Sequence, residues 1–192
     1  AVRGPFLVSI SVREAVTRLD VPLMVHGYNQ SVGWGDKHAE DRFETTSIVG
    51  DCVDETLFFW YLIRGGALDV FPTLKTYIRH SGGAWRCSSS RAPGRSEKVD
   101  GAGCPQQASA DDYLPNFCFD LDAHHPALRR AVVEVVGADQ ILYGTNFGGD
   151  DNRDLTAGLG LSDAEVAKIR SGNPGGIAFG LSQRNRVDCL NN

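Results

Sequence analysis

The chain has 192 residues, 42 % of them hydrophobic, and 19 Lys+Arg against 24 Asp+Glu give a formal charge of −5. That apolar content excludes global disorder, and the length is enough for one sizeable core. The mild acidity offers no electrostatic footprint for nucleic acid, and the most apolar run, Phe58–Ile63, is stopped by Arg64 far short of a membrane span.

Residues 11–19 place Val12, Val16 and Leu19 at helical spacing, which predicts a helix broken by Asp20. Pro22–His26 (PLMVH) is an apolar run of strand length that ends in histidine. Residues 27–46 are polar, aromatic and Gly-containing without periodicity. They read as a long loop, the kind of segment that carries function in a compact domain.

Residues 47–64 are the best helix candidate. Ile48, Cys52, Leu57, Trp60, Tyr61 and Arg64 fall near i, i+4 steps, and Gly65-Gly66 ends the segment. Leu74–His80 alternates Leu74, Thr76 and Ile78 against Lys75, Tyr77 and Arg79, a strand pattern that again ends in histidine. Residues 81–111 are dominated by Ser, Gly, Arg and Pro and predict a mobile loop with almost nothing to build a core.

Phe117–Leu121 is a further strand, followed by a helix over Ala123–Val136 with Pro126 in its first turn and Gly137 at its end. Gln140–Thr145 is a fourth strand. Ser162 stands three residues before Glu165, the spacing of a capping box, and Asn173-Pro174 has the form of an N-cap followed by a first-turn proline. Ser182–Asn192 is polar tail.

Strands alternating with helices imply a parallel sheet with crossover helices, and such sheets carry their chemistry at the C-terminal strand ends. Here those ends carry His26, His80, Asp120 with Asp122, and Asn146. Imidazole is the commonest zinc-type ligand and the commonest general acid or base. Asp120 and Asp122 share one face of an extended segment, suited to binding a metal or polarising a histidine; the plainer reading is that Asp122 caps the following helix. The five cysteines are odd in number and lack any Cys-x-x-Cys, so buried thiols in a reducing compartment, the cytoplasm, are expected. A chain that starts with Ala is either processed or begins inside a longer one.

Five motifs occur in one order: PLMVHGYNQ, LDVFPTLKTYIRHSGG, YLPNFCFDLD, VGADQILYGTNFGG and LSDAEVAKIRSGNP. Together they resemble the second half of the amidohydrolase-2 family, in the branch similar to aminocarboxymuconate-semialdehyde decarboxylase and the resorcylate-type decarboxylases. The resemblance covers most of 10–83 and 112–180. It implies an α/β fold, the C-terminal half (about strands 5–8) of a TIM (β/α)8 barrel. Residues 1–180 form the partial barrel domain, 84–111 an irregular insert, and 181–192 the tail. It also implies a divalent metal, zinc with manganese as the alternative.

By motif, His26 matches the fifth-strand metal ligand and His80 the sixth-strand catalytic histidine. Asn146 occupies the place of the family's metal-binding Asp. No His-x-His pair, the family's first-strand ligand set, occurs in the sequence. An amide oxygen at 146 can coordinate but brings no charge. Tyr28 and Trp34 are candidates to stack on an aromatic substrate, Asn29 to position its polar groups, and Arg42 to clamp a carboxylate. The implied chemistry is decarboxylation or hydrolysis of a small carboxylated aromatic or enol-like molecule. The alternative is a catalytically inactive remnant that binds small molecules or proteins. The expected partners are a small-molecule substrate and neither nucleic acid nor membrane. Half a barrel leaves open edges, which calls for a homo-oligomer or for the missing N-terminal half-barrel.

Overall fold

The computed structural model describes residues 9–27, 46–89, 108–123, 125–144 and 154–178. Helix α1 spans Ile10–Leu19 and starts at Ser9, whose side chain accepts from the Val12 N–H; Asp20 ends it in the left-handed conformation. Of the expected apolar stripe only Val16 packs on the core, while Val12 and Leu19 are exposed. Strand β1, Leu23–Val25, follows. A π-helical turn, Thr46–Gly50, leads into α2, Asp51–Arg64, which Gly65 and the left-handed Gly66 terminate.

The face that α2 buries is not the one its spacing suggested. Glu55, Phe58, Phe59, Leu62 and Ile63 are buried, whereas Ile48 and Tyr61 are exposed. The buried set runs i, i+3, i+4, i+7, i+8, a wider stripe than the i, i+4 series read from Ile48. A short helix α3, Ala67–Val70, and strand β2, Thr76–Ile78, come next. The left-handed turn His80–Gly82 and the short helix α4, Trp85–Ser89, follow. A 3₁₀ segment, Asp111–Asn116, precedes strand β3, Phe117–Phe119.

The three strands pair in parallel in the order β1-β2-β3, with Leu23 beside Thr76 and Thr76 beside Phe117. Helix α5, Pro126–Val136, has Pro126 at its first position and is capped by the His125 side chain, not by Asp122. The expected fourth strand, Gln140–Thr145, is reduced among the described residues to a single parallel bridge from Ile141 to Phe119. A 3₁₀ turn takes Ala138–Gln140 instead. The capping box of Ser162 and Glu165 is present and opens α6, Asp163–Ala167. Asn173 is no N-cap: its backbone is helical, and its amide donates to the carbonyls of Ala138 and Ile141, at 2.7 Å each. It ties the C-terminal helices to the last position of the sheet.

The core lies between the sheet and its helices. Phe59 of α2 stacks on Trp85 and packs against Phe117, with 4.6 Å between ring centroids in each case, and Trp85 stacks on Phe119. Burial of each such ring contributes on the order of 1.5–3 kcal/mol. Trp85 corrects the reading of 81–111 as a segment without core residues: it is 2 % exposed. Residues 90–107 of that segment and the tail 181–192 lie outside the described residues.

Candidate functional site

The C-terminal ends of β1 and β2 sit side by side because the strands are parallel and paired in register. One residue past β1, His26 has its Nδ1 2.6 Å from the carbonyl oxygen of Gly27. Donation from Nδ1 to that oxygen orients the ring and leaves Nε2 as the coordinating or basic nitrogen. Two residues past β2, His80 brings its ring centroid to 5.7 Å from that of His26, with the planes at 77°. The two histidines that the motifs singled out therefore do meet.

The backbone that delivers His80 is strained. His80 (φ 48°) and Ser81 (φ 56°) are both left-handed, and Gly82 and Gly83 continue the run. Left-handed non-glycine residues cost energy and persist where their surroundings over-determine them. Here several contacts do so. Asp120, 1 % exposed, accepts from the Ser81 N–H at 2.8 Å. The Thr56 hydroxyl oxygen accepts from the Ala84 N–H at 2.7 Å. Gly83 lies so close to α2 that a Cβ there would stand 2.4 Å from the Cys52 carbonyl oxygen.

Glu55 of α2 completes the arrangement and escaped the sequence reading. It is fully buried. Its Oε1 lies 2.9 Å from Nδ1 of His80 and accepts from the Gly27 N–H at 3.3 Å. The hydrogen bond to Glu55 raises the His80 pKa above its ordinary value, and burial pushes the Glu55 carboxyl up. The signal that pointed to Glu55 was there: it is the one carboxylate on the buried 55, 58, 59, 62, 63 stripe.

The carboxylates after β3 take different roles. Asp120 is committed inside: it accepts from Ser81, from the Asp122 N–H at 3.1 Å and from the Tyr77 hydroxyl at 2.9 Å. Asp122 pairs with Arg79 at 3.3 Å and stands 4.0 Å from Nε2 of His80. A cleft of about 650 Å³ opens beside His80. Ser81, Cys52 and Asp122 line it on the polar side, and Leu128, Val132 and Val135 of α5 form an apolar wall. Burial raises the Cys52 thiol pKa above its ordinary value. The remaining candidates, Asn146, Tyr28, Asn29, Trp34 and Arg42, lie outside the described residues.

Among the described residues no group of three or more His, Cys, Asp or Glu is placed to hold a metal ion. No described helix is long and apolar enough to cross a membrane.

A family model described as amidohydrolase matches residues 10–175. The chain is 27 % identical over 177 residues to a 2-keto-4-carboxy-3-hexenedioate hydratase of Sphingobium sp. (strain NBRC 103272 / SYK-6), covering 83 % of this chain and 47 % of that protein. Its fold is similar to the crystal structure of a 5-carboxyvanillate decarboxylase from Sphingomonas paucimobilis, with a TM-score of 0.72 at 20 % identity, over 88 % of this chain and 52 % of the other. It is also similar to a dihydroxybenzoic acid decarboxylase from Polaromonas sp. JS666 with bound manganese and the inhibitor 2-nitroresorcinol, with a TM-score of 0.64 at 21 % identity, over 85 % and 51 % of the two chains. At these identities the structural likeness is one of fold. The chain spans about half the length of the relatives it matches. A parallel α/β sheet with two histidines at adjacent strand ends, and a family match over most of the sequence, make this chain a member of the amidohydrolase family.

Proposed function

We propose that the chain is the C-terminal half, strands 5–8, of a metal-dependent amidohydrolase barrel whose chemistry is that of a lyase acting on a small carboxylated aromatic or enol-like molecule. The observation that carries this reading is the meeting of His26 and His80, ring centroids 5.7 Å apart, at the C-terminal ends of adjacent parallel strands. That end of the sheet is where barrel enzymes build their sites. Relatives named as decarboxylases and as a hydratase favour carbon–carbon or carbon–oxygen bond cleavage over hydrolysis.

His80 is the proton-transferring residue in this reading. Its Nε2 stands 4.0 Å from Asp122 Oδ2, and both residues line the cleft. In decarboxylation a proton delivered to the ring carbon replaces the carboxylate that leaves as carbon dioxide. Arg42 is the residue proposed to hold a carboxylate. His26 and Asn146 would hold the divalent metal, with further donors from the other half of the barrel. When bound, such an ion supplies Lewis-acid polarisation of a substrate oxygen or of water.

The test is carbon dioxide release from 5-carboxyvanillate with added manganese or zinc. It is run on the chain alone and on the chain mixed with a first-half barrel segment that carries the His-x-His pair. The expected result is turnover in the mixture, lowered about 10²–10⁴-fold by His80→Ala, the range for loss of a general acid or base. Turnover that survives His80→Ala removes the assignment. Saturable binding of the aromatic acid with no release in either sample favours the second reading, a binding module without catalysis. The incomplete ligand set among the described residues is the observation behind that second reading.

A further inference from the structure

We propose that Glu55 is a positioning residue that fixes the His80 ring in the Nδ1–H tautomer and ties it to the segment carrying His26, so that Nε2 is the nitrogen offered to the cleft. The proposal rests on the reading of His80 as the proton-transferring group. Its test does not require turnover, so the two can fail separately.

The geometry is specific. Glu55 Oε1 stands 2.9 Å from His80 Nδ1 and receives the Gly27 N–H at 3.3 Å. One oxygen thus joins the backbone next to His26 to the ring of His80. A carboxylate can only accept, so the nitrogen facing it carries the proton, whether the ring is neutral or charged. In the neutral ring the lone pair then lies on Nε2. An imidazole free in water prefers the opposite tautomer, with the proton on Nε2, so Glu55 reverses the intrinsic preference.

The surroundings leave His80 little freedom to escape this contact. Its left-handed backbone is pinned by Asp120 through the Ser81 N–H and by Thr56 through the Ala84 N–H. Thr56 and Glu55 are neighbours on α2, and the Thr56 hydroxyl is itself anchored by donation to the Cys52 carbonyl at 2.6 Å. The same helix therefore grips the turn at its start, through the ring, and at its end, through the backbone.

Packing alone does not explain a glutamate here. The residue lies on the buried stripe of α2 with Phe58, Phe59 and Leu62, at a place where an apolar side chain would pack. Its second oxygen, Oε2, has no hydrogen-bond partner among the described residues. A buried carboxylate with an unsatisfied oxygen is costly. What the residue delivers in return is the contact to His80 and Gly27.

The experiment is ¹⁵N–¹H correlation spectroscopy of the imidazole rings in the full chain labelled at histidine, at a pH above the titration of His80. The His80 signals are assigned by their loss in His80→Gln. In the wild-type chain the expected majority form is Nδ1–H. Glu55→Leu, which removes the acceptor, is expected to turn that majority into a minority. Glu55→Gln, whose amide oxygen still accepts, is expected to keep it. A wild-type His80 found mainly as Nε2–H overturns the proposal, because the carboxyl would then be the donor. So does a folded Glu55→Leu chain that retains Nδ1–H. If the leucine variant does not fold, the wild-type spectrum decides by itself: Nδ1–H supports the proposal and Nε2–H overturns it.

Discussion

The two faces of the sheet are built differently. On the helix-covered face, Ile78, Phe117 and Phe119 meet Phe59, Ile63 and Trp85, and every one of these is at most 2 % exposed. The opposite face carries the alternate residues of the same strands: Met24, Tyr77 and Cys118, paired across in register. There the buried apolar cluster among the described residues is Tyr77, Cys118 and Leu142, and Met24 is 68 % exposed. Parallel strands are ordinarily buried on both sides. Among the described residues helices cover one side, while at β1 the other side carries the exposed Met24. In the proposed whole barrel, that other side is the barrel interior. The difference also separates stability from function, since the strand-end histidines depend on a frame that the covered face holds together.

The largest test of this contrast is Phe59→Ala. Removing the ring that bridges Trp85 and Phe117 is expected to destabilise by about 3–5 kcal/mol, measured by urea unfolding. A loss below about 1 kcal/mol would mean that the covered face is not the stabilising one. Gly83→Ala comes next. Its Cβ would collide with the Cys52 carbonyl at a φ of 66°, and a loss of about 2–3 kcal/mol is expected in the melting curve. On the opposite face, Tyr77→Phe removes the hydroxyl that donates to Asp120 at 2.9 Å. The expected cost is about 1–2 kcal/mol, because a buried carboxylate loses a donor.

A pH series gives a baseline outside both faces. Hydrogen bonds from Thr156 and Arg170 hold the Asp154 carboxyl down to about 2, below its ordinary 3.8. A depressed carboxyl contributes stability that is complete above 3.8 and lost as the pH falls through about 2. Asp154→Asn is therefore expected to flatten the acid limb of the stability curve in that window, because its cost is present near neutrality and vanishes once the pH is below about 2. The pair is exposed, so the effect is small. Smallest of all is Met24→Ala, expected to stay within about 0.5 kcal/mol in the same unfolding assay. A loss comparable to that of Phe59→Ala would show that the face around Met24 is covered in solution, and would erase the contrast.

Where the chain announces its structure locally, the sequence reading and the fold agree. Ser162 and Glu165 form the capping box that their spacing promised, and Pro126 sits at the first position of α5. His26 and His80 fall at neighbouring strand ends, as the apolar runs before them implied. The reading failed where burial depends on a distant partner. Trp85 belongs to a polar segment by composition, yet Phe59 and Phe119 hold it in the core. Asn173 has the form of a cap, but the carbonyls of Ala138 and Ile141 claim its amide. The spacing over 47–64 predicts the helix but not its buried face, because aromatic residues stand on several sides of it.

The order of strands and helices, the parallel character of the sheet and the histidines at its C-terminal end follow from the amino-acid sequence, because each rests on short-range periodicity, capping or chain order. The pairing of Glu55 with His80, the left-handed turn that presents the ring and the use of Asp120 as an internal anchor were decided by the tertiary structure. These contacts join residues 25 to 39 positions apart. Contacts of that reach depend on strand register and on the rotation of α2 about its axis, and both are settled by packing between elements and not within them.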